Sequence, residues 1–193
     1  MTKLVRAVGA STLAIALALG ALVPSPVLAK TEKTIEVGGA EMFPSKNIVE
    51  NAAESKDHTT LVAAVKAADL VDTLSGKGPF TVFAPTNAAF DKLPKDTVPT
   101  LLKPENKAQL TGVLTYHVVS GTYSAAKIEK DAAENGGKLM LKTVEGEQIT
   151  LEKSGSGWAV VDQKGDKAMI TIADVNQSNG VIHVIDTVLM PKM

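Results

Sequence analysis

The sequence predicts an α+β protein. Three observations carry that reading. Apolar residues recur at helical spacing through much of the first half of the chain; beyond Asn135-Gly136-Gly137 only strand-like runs separated by turn residues remain; and 193 residues that are 45% apolar suffice for one domain with a real core.

The chain opens with Lys3 and Arg6, then an uncharged run from Ala7 to Val23, then Pro24-Ser25-Pro26 and Val27-Leu28-Ala29. This is the pattern of a secretory signal peptide over residues 1–29, with cleavage expected after Ala29. No second apolar run reaches spanning length, so the mature body is expected to be soluble, with no membrane span. Residues 30–44 are polar, contain Gly38-Gly39 and show no sustained period, which reads as a flexible leader. The folded domain is expected over residues 45–193. Loss of the signal peptide, with Lys3 and Arg6, removes two positive charges from a net charge of −1, which argues against nucleic acid or an anionic membrane as partner. The chain has no cysteine and therefore no disulfide or thiol chemistry.

Within the domain, 47–53 suits a short first helix. The spacing of Leu61, Val62, Val65, Ala68 and Leu70 predicts a second, closed by Gly76 and Gly78. Residues 79–84 read as a buried strand because Phe80, Val82 and Phe83 leave no polar face. After Thr86-Asn87, the residues Ala88, Ala89, Phe90 and Leu93 fit a helix that Pro94 ends, with a Thr86 or Asn87 side chain free to cap its first amides. Another short helix is expected over 96–102, and Pro104 opens a longer one through Leu114. Tyr116 to Val119 reads as a strand and Ser124 as the cap of a helix from Ala125 to about Ala133. Five strands follow, over 139–144, 148–151, 158–162, 169–173 and 181–189.

Three blocks in this order resemble the fasciclin (FAS1, beta-Ig-H3) domain family, over roughly residues 48–190. Gly78-Pro79-Phe80-Thr81-Val82-Phe83-Ala84-Pro85-Thr86-Asn87-Ala88-Ala89-Phe90 is similar to the family's first signature block. Leu114-Thr115-Tyr116-His117-Val118-Val119 is similar to its Tyr-His motif, and 179–191, Asn179-Gly180-Val181-Ile182-His183-Val184-Ile185-Asp186-Thr187-Val188-Leu189-Met190-Pro191, to the closing block. The resemblance implies a FAS1-like fold of two packed β-sheets, with helices from the N-terminal half covering one side, in a secreted or surface-displayed protein active in adhesion or matrix-type contacts. It places the chain beside single-domain bacterial members.

Chemistry is sparse. His58, His117 and His183 invite a metal reading, but their wide separations give no local ligand pattern, and a hydrogen-bonded structural role is favoured. On a strand, Tyr116 and His117 would alternate faces, and a His117 ring nitrogen is expected to bond a neighbouring backbone group or the Asn87 amide. Ser120, Ser124 and Ser178 sit in turn or cap settings and none lies in a Gly-x-Ser-x-Gly elbow. The pairs Asp162/Asp166 and Glu145/Glu147 flank turns and read as solvated. No phosphate cradle or calcium loop occurs. The expected function is a secreted, non-catalytic module without cofactor, binding a cell-surface or matrix protein or a polysaccharide. Thr86, Asn87, Tyr116, His117, His183 and Asp186 are the candidate interaction or structural residues. The acidic-aliphatic adhesion loop of animal relatives is represented only by Asp186. The alternative is an extracytoplasmic carrier of a metal or a small apolar ligand.

Overall fold

The computed structural model of the chain describes residues 33–192. The expected signal peptide lies outside them. The first described element corrects the expected leader. Strands β1 (Ile35–Val37) and β2 (Ala40–Met42) form an antiparallel hairpin across Gly38-Gly39, both glycines at positive φ, and Val37 and Met42 are buried. Glu36 and Glu41 face outward and their strand neighbours inward, an alternation that strands of three residues are too short to make plain in the sequence.

Helices cluster in the next hundred residues as the spacing predicts. In α1 (Ile48–Glu54), Asn47 Oδ1 accepts from the Val49 and Glu50 amides while the Glu50 carboxylate accepts from the Asn47 amide, a reciprocal cap. The predicted second helix is two, α2 (Thr59–Ala67) and α3 (Val71–Ser75), interrupted where Asp69 adopts φ 56°. Then come β3 (Phe80–Pro85), α4 (Asn87–Asp91), α5 (Thr97–Leu101), α6 (Lys107–Tyr116), β4 (Val118–Ser120) and α7 (Ala125–Glu134). Ser124 Oγ caps α7 by accepting from the Lys127 amide. The C-terminal strands are β5 (Lys138–Lys142), β6 (Gln148–Ser154), β7 (Gly157–Val161), β8 (Lys167–Gln177) and β9 (Gly180–Ile185).

These last strands join β3 and β4 in one seven-stranded sheet of order β4-β3-β9-β8-β7-β6-β5. The sheet bends into two packed halves at β8. Residues Lys167–Met169 pair with β7, residues Ile170–Gln177 pair with β9, and register shifts near Ile172 mark the bend. A bridge from Val119 to Thr143 brings the two outer strands back together. Between the halves lies one core, with Phe83, Tyr116, Ile149, Leu151 and Ile185 fully buried and Ile128 of α7 filling it from the side. On the opposite face of the β3-β9 half, Val82, Ile182 and Val184 meet Ile48, Leu61 and Leu114 of the helices in a second core.

The two signature blocks are neighbours in space. β3 and β9 run parallel in register from Phe80 opposite Gly180 to Pro85 opposite Ile185. Both strands are covered on both faces, which is why neither shows a solvent-facing polar side, and Thr81 and His183 within them are buried. Their start is pinned by close approach: a Cβ at Gly180 would collide with the Phe80 carbonyl, and one at Gly78 with the Asn179 carbonyl. Between them Asn179 ties three elements. Its Oδ1 accepts from the Ile48 amide at 3.0 Å, and its Nδ2 donates to the Leu74 and Gly76 carbonyls at 2.8 and 2.9 Å. Gly180→Ala is expected to destabilise the protein by about 1–3 kcal/mol through overpacking against backbone, read as a lowered denaturation midpoint, whereas Gly155→Ser, in an open turn, should cost less.

Candidate functional site

Thr86 and Asn87 cap two different helices. Thr86 Oγ1 accepts from the Ala89 amide at 3.2 Å and caps α4. Asn87 reaches back to α2, which has no side-chain cap of its own: its Oδ1 accepts from the Thr60 amide at 3.0 Å and its Nδ2 donates to the Lys56 carbonyl at 2.9 Å. The pair thus joins the end of β3 to two helix N-termini, whose first amides have no intrahelical acceptors.

Tyr116 and His117 do not share a strand. α6 continues through Tyr116, His117 is its C-terminal cap, and the strand begins at Val118, so both side chains turn inward, 0% and 3% exposed. The aromatic and β-branched run 116–119 mimics strand composition, but the turn of helix before it carries the backbone two residues further. His117 Nδ1 donates to the Val113 carbonyl at 2.8 Å, one turn back, and its Nε2 accepts from the Leu189 amide at 2.9 Å. Of the two expected alternatives the backbone holds, at both ring nitrogens, and Asn87 is engaged elsewhere. Burial pushes the His117 ring down to about 4, against weaker opposing effects of the Val113 carbonyl and Asp162. Tyr116 Oη donates to the Gln148 carbonyl and accepts from the Gln163 amide, both at 3.1 Å. Burial, aided by nearby carboxylates, pushes its phenol up to about 12.

Asp162 corrects the solvated reading. It is 6% exposed, its Oδ1 accepts from the Lys164 and Asp166 amides at 2.9 Å, and its Oδ2 accepts from the Met190 amide at 3.1 Å. With His117 it clasps the closing block from two sides, at Leu189 and Met190. Sequence reasoning had only the turn residues as a signal there; the third partner lies 28 positions away.

His183 is fully buried and stacks on Phe83, with ring centroids 5.7 Å apart. Nε2 donates to the Tyr123 carbonyl at 2.7 Å and Nδ1 accepts from the Asp174 amide at 3.3 Å, which braces the bend of β8 where Asp174 adopts φ 59°. Burial holds its ring below the usual imidazole range. Asp186, partly exposed, accepts from the Met169 amide at 2.8 Å and pairs with Lys92 at 3.2 Å. Burial raises its carboxyl, but the Met169 amide, Lys92 and the Thr187 hydroxyl outweigh it and lower the value overall. His58 is buried beneath the hairpin, near Ser55. The three histidines therefore serve three separate places, and among the described residues no group of three or more His, Cys, Asp or Glu side chains is placed to hold a metal ion.

Leu101, Val118 and Val119 are buried in the core. Two concavities remain relevant. An apolar cavity of about 40 Å³ lies under α1, α2 and α6, lined by Leu61, Val65 and Leu114 among others. An open cleft of about 620 Å³ lies where β3 and β9 begin, lined by the segments 75–79 and 176–180 and by Thr122. Among the described residues that line it, Lys77 is the sole charged side chain, and none is a histidine or carboxylate.

A family model for the fasciclin domain matches residues 56–191. Protein sll1483 of Synechocystis sp. is 48% identical over 164 residues, 84% of this chain and 83% of that protein. The cell surface glycolipoprotein MPB83 of Mycobacterium bovis is 39% identical over 123 residues, 64% of this chain and 48% of that protein. Among solved structures, the FAS1 domain pair of the insect cell adhesion molecule Fasciclin I superposes with a TM-score of 0.69 at 18% identity, over 83% of this chain and 58% of that one, a likeness of fold. No helix among the described residues is long and apolar enough to cross a membrane.

Two measurements check this account. Thr86→Ala should cost about 1 kcal/mol as a lost cap, and Asn87→Ala about 1–3 kcal/mol because it strands groups of a second helix, both read by denaturant titration. Because the His117 ring is depressed in the folded state, its stabilising share is full above the ordinary value of 6.5 and is lost as pH falls from there towards about 4, on the order of 3 kcal/mol in all. His117→Gln should therefore lower the melting temperature by several degrees at pH 7 and flatten the acid limb of stability; an unchanged limb would contradict the assignment.

Proposed function

The chain belongs to the fasciclin family, and on that premise we propose that it is a secreted or surface-displayed interaction module, non-catalytic, that contributes to adhesion by binding a surface or matrix protein or a polysaccharide. The single observation that carries this reading is how the motif residues are used. Thr86, Asn87, Tyr116, His117 and His183 all hold backbone groups of the fold itself. Reactive side chains so engaged are scaffold, and the scaffold leaves an open polar cleft at the meeting point of the two signature blocks. Thr122, Asn176, Ser178 and the adjoining loop backbone offer donors and acceptors with one positive charge, Lys77, a surface suited to a polar extended partner. The surface location named for the mycobacterial relative supports an extracytoplasmic role.

The carrier alternative fares less well on size. A cavity of about 40 Å³ is far below the roughly 150 Å³ that accommodates a benzene-sized guest.

The test uses the mature protein, immobilised, against purified surface proteins and polysaccharides. Saturable binding to one of them is expected to fall at least tenfold in Lys77→Glu and Asn176→Arg, with melting temperatures unchanged. Binding that both variants retain would remove the cleft from the contact, and a stoichiometric small ligand in the native mass spectrum would favour the carrier.

A further inference from the structure

The N-terminal hairpin is weak in itself. Its strands have three residues each, and Glu36 stands directly opposite Glu41 on the outward face, a like-charge pair. Docking holds it. Val37 and Met42 close one wall of a cavity of about 10 Å³ whose other walls are Ala52 of α1, Ala84 of β3, Val175 of β8, Ile182 of β9 and the ring of His58. The Gly38 carbonyl accepts from the Lys56 amide at 3.2 Å, and a Cβ at Gly38 would collide with Ser55 Oγ, so the turn lies flat on the segment that carries His58.

His58 is 3% exposed; Ser55 Oγ meets its Nδ1 at 2.9 Å, and its Nε2 is buried and makes no well-formed hydrogen bond among the described residues, the Ala84 carbonyl interacting with the ring only weakly. Among the described residues, no other side chain lining the cavity is titratable or charged. Asp57, on the same turn, is exposed, and Glu36 and Glu41 point away from the cavity. A proton on this ring would bury a charge in an apolar pocket. Just beyond the hairpin the chain is fixed independently: the Phe43 amide donates to Asn51 Oδ1 at 3.0 Å, and Asn51 Nδ2 donates to the Phe43 carbonyl at 2.8 Å and to Gln177.

We propose that the β1–β2 hairpin is an acid-released latch, docked while His58 is uncharged and freed at a pivot on Phe43 when His58 takes a proton. Release uncovers Val37, Met42 and the sheet residues beneath them. Burial holds the ring below the ordinary 6.5, against the weaker pull of the Ala84 carbonyl and Asp57. The docked state thus binds the proton less tightly than the free one, so docking is complete above about 6.5 and weakens as pH falls below it.

The test is NMR of the full mature chain, following the His58 ring nitrogens and amide-exchange protection factors from about pH 7.5 to 4.5. Hairpin amides should lose protection, by tenfold or more, in step with His58 protonation while β9 amides keep theirs. His58→Leu, if folded, should keep its hairpin protected throughout. A hairpin still protected when His58 is fully charged, a simultaneous loss in β9, or an unchanged acid response in His58→Leu would each overturn the proposal; should that variant not fold, the wild-type titration decides alone.

Discussion

The parallel pairing of β3 with β9 is the constraint on which the rest of the molecule depends. Two strands covered on both faces require a packed layer on each side, and the chain supplies helices for one and the folded-back half of its own sheet for the other. Gly78 and Gly180 allow the two strand entrances to approach closely, and Asn179 fastens them to α1 and α3. At the far end the strands run out into Thr86 and Asp186, which bind α4 and β8 in turn. Each cap and clasp described above is therefore attached, directly or through one neighbour, to this pair.

Polar side chains inside the domain work mostly on backbone. His117 stands between a donor and an acceptor that fix its tautomer, His183 does the same with the opposite nitrogens, and Asp162 gathers three amides. A histidine held this way is a neutral strut: adding a proton sets Nε2 of His117 against the Leu189 amide it now accepts from. His58 differs in that its Nε2 makes no well-formed hydrogen bond among the described residues, and it is the one that lines the cavity beneath the N-terminal hairpin.

What the sequence disclosed follows from range. Helix caps at Asn47, Thr86 and Ser124 are local events, legible from a side chain and the three residues after it. β9 was legible as an apolar run, and the segments on either side of β8 as strands divided by turn residues. The pairing of 80–85 with 180–185 was not, because nothing local distinguishes a parallel partner from an antiparallel one. Tyr116-His117 was misplaced onto a strand because its composition is that of a strand while its backbone belongs to the helix before it. The hairpin at 35–42 was hidden by the shortness of its two three-residue strands, and Asp162 by a partner amide 28 positions on. At the site, the helix-capping part of Thr86-Asn87 was readable; that Asn87 serves a helix 27 residues earlier was not.

The separation of the two central strands sets a condition on how the protein is made. β3 finds its partner about a hundred residues later, after every helix and the whole β5–β8 meander. Contacts of such range form slowly, since the loop between them must be ordered before the pairing can stabilise anything. Until Gly180–Ile185 is available, β3 has an open edge and both cores lack a wall. The two cores therefore close only once residues 180–185 have joined β3, so completion of the fold waits on one of its latest strands.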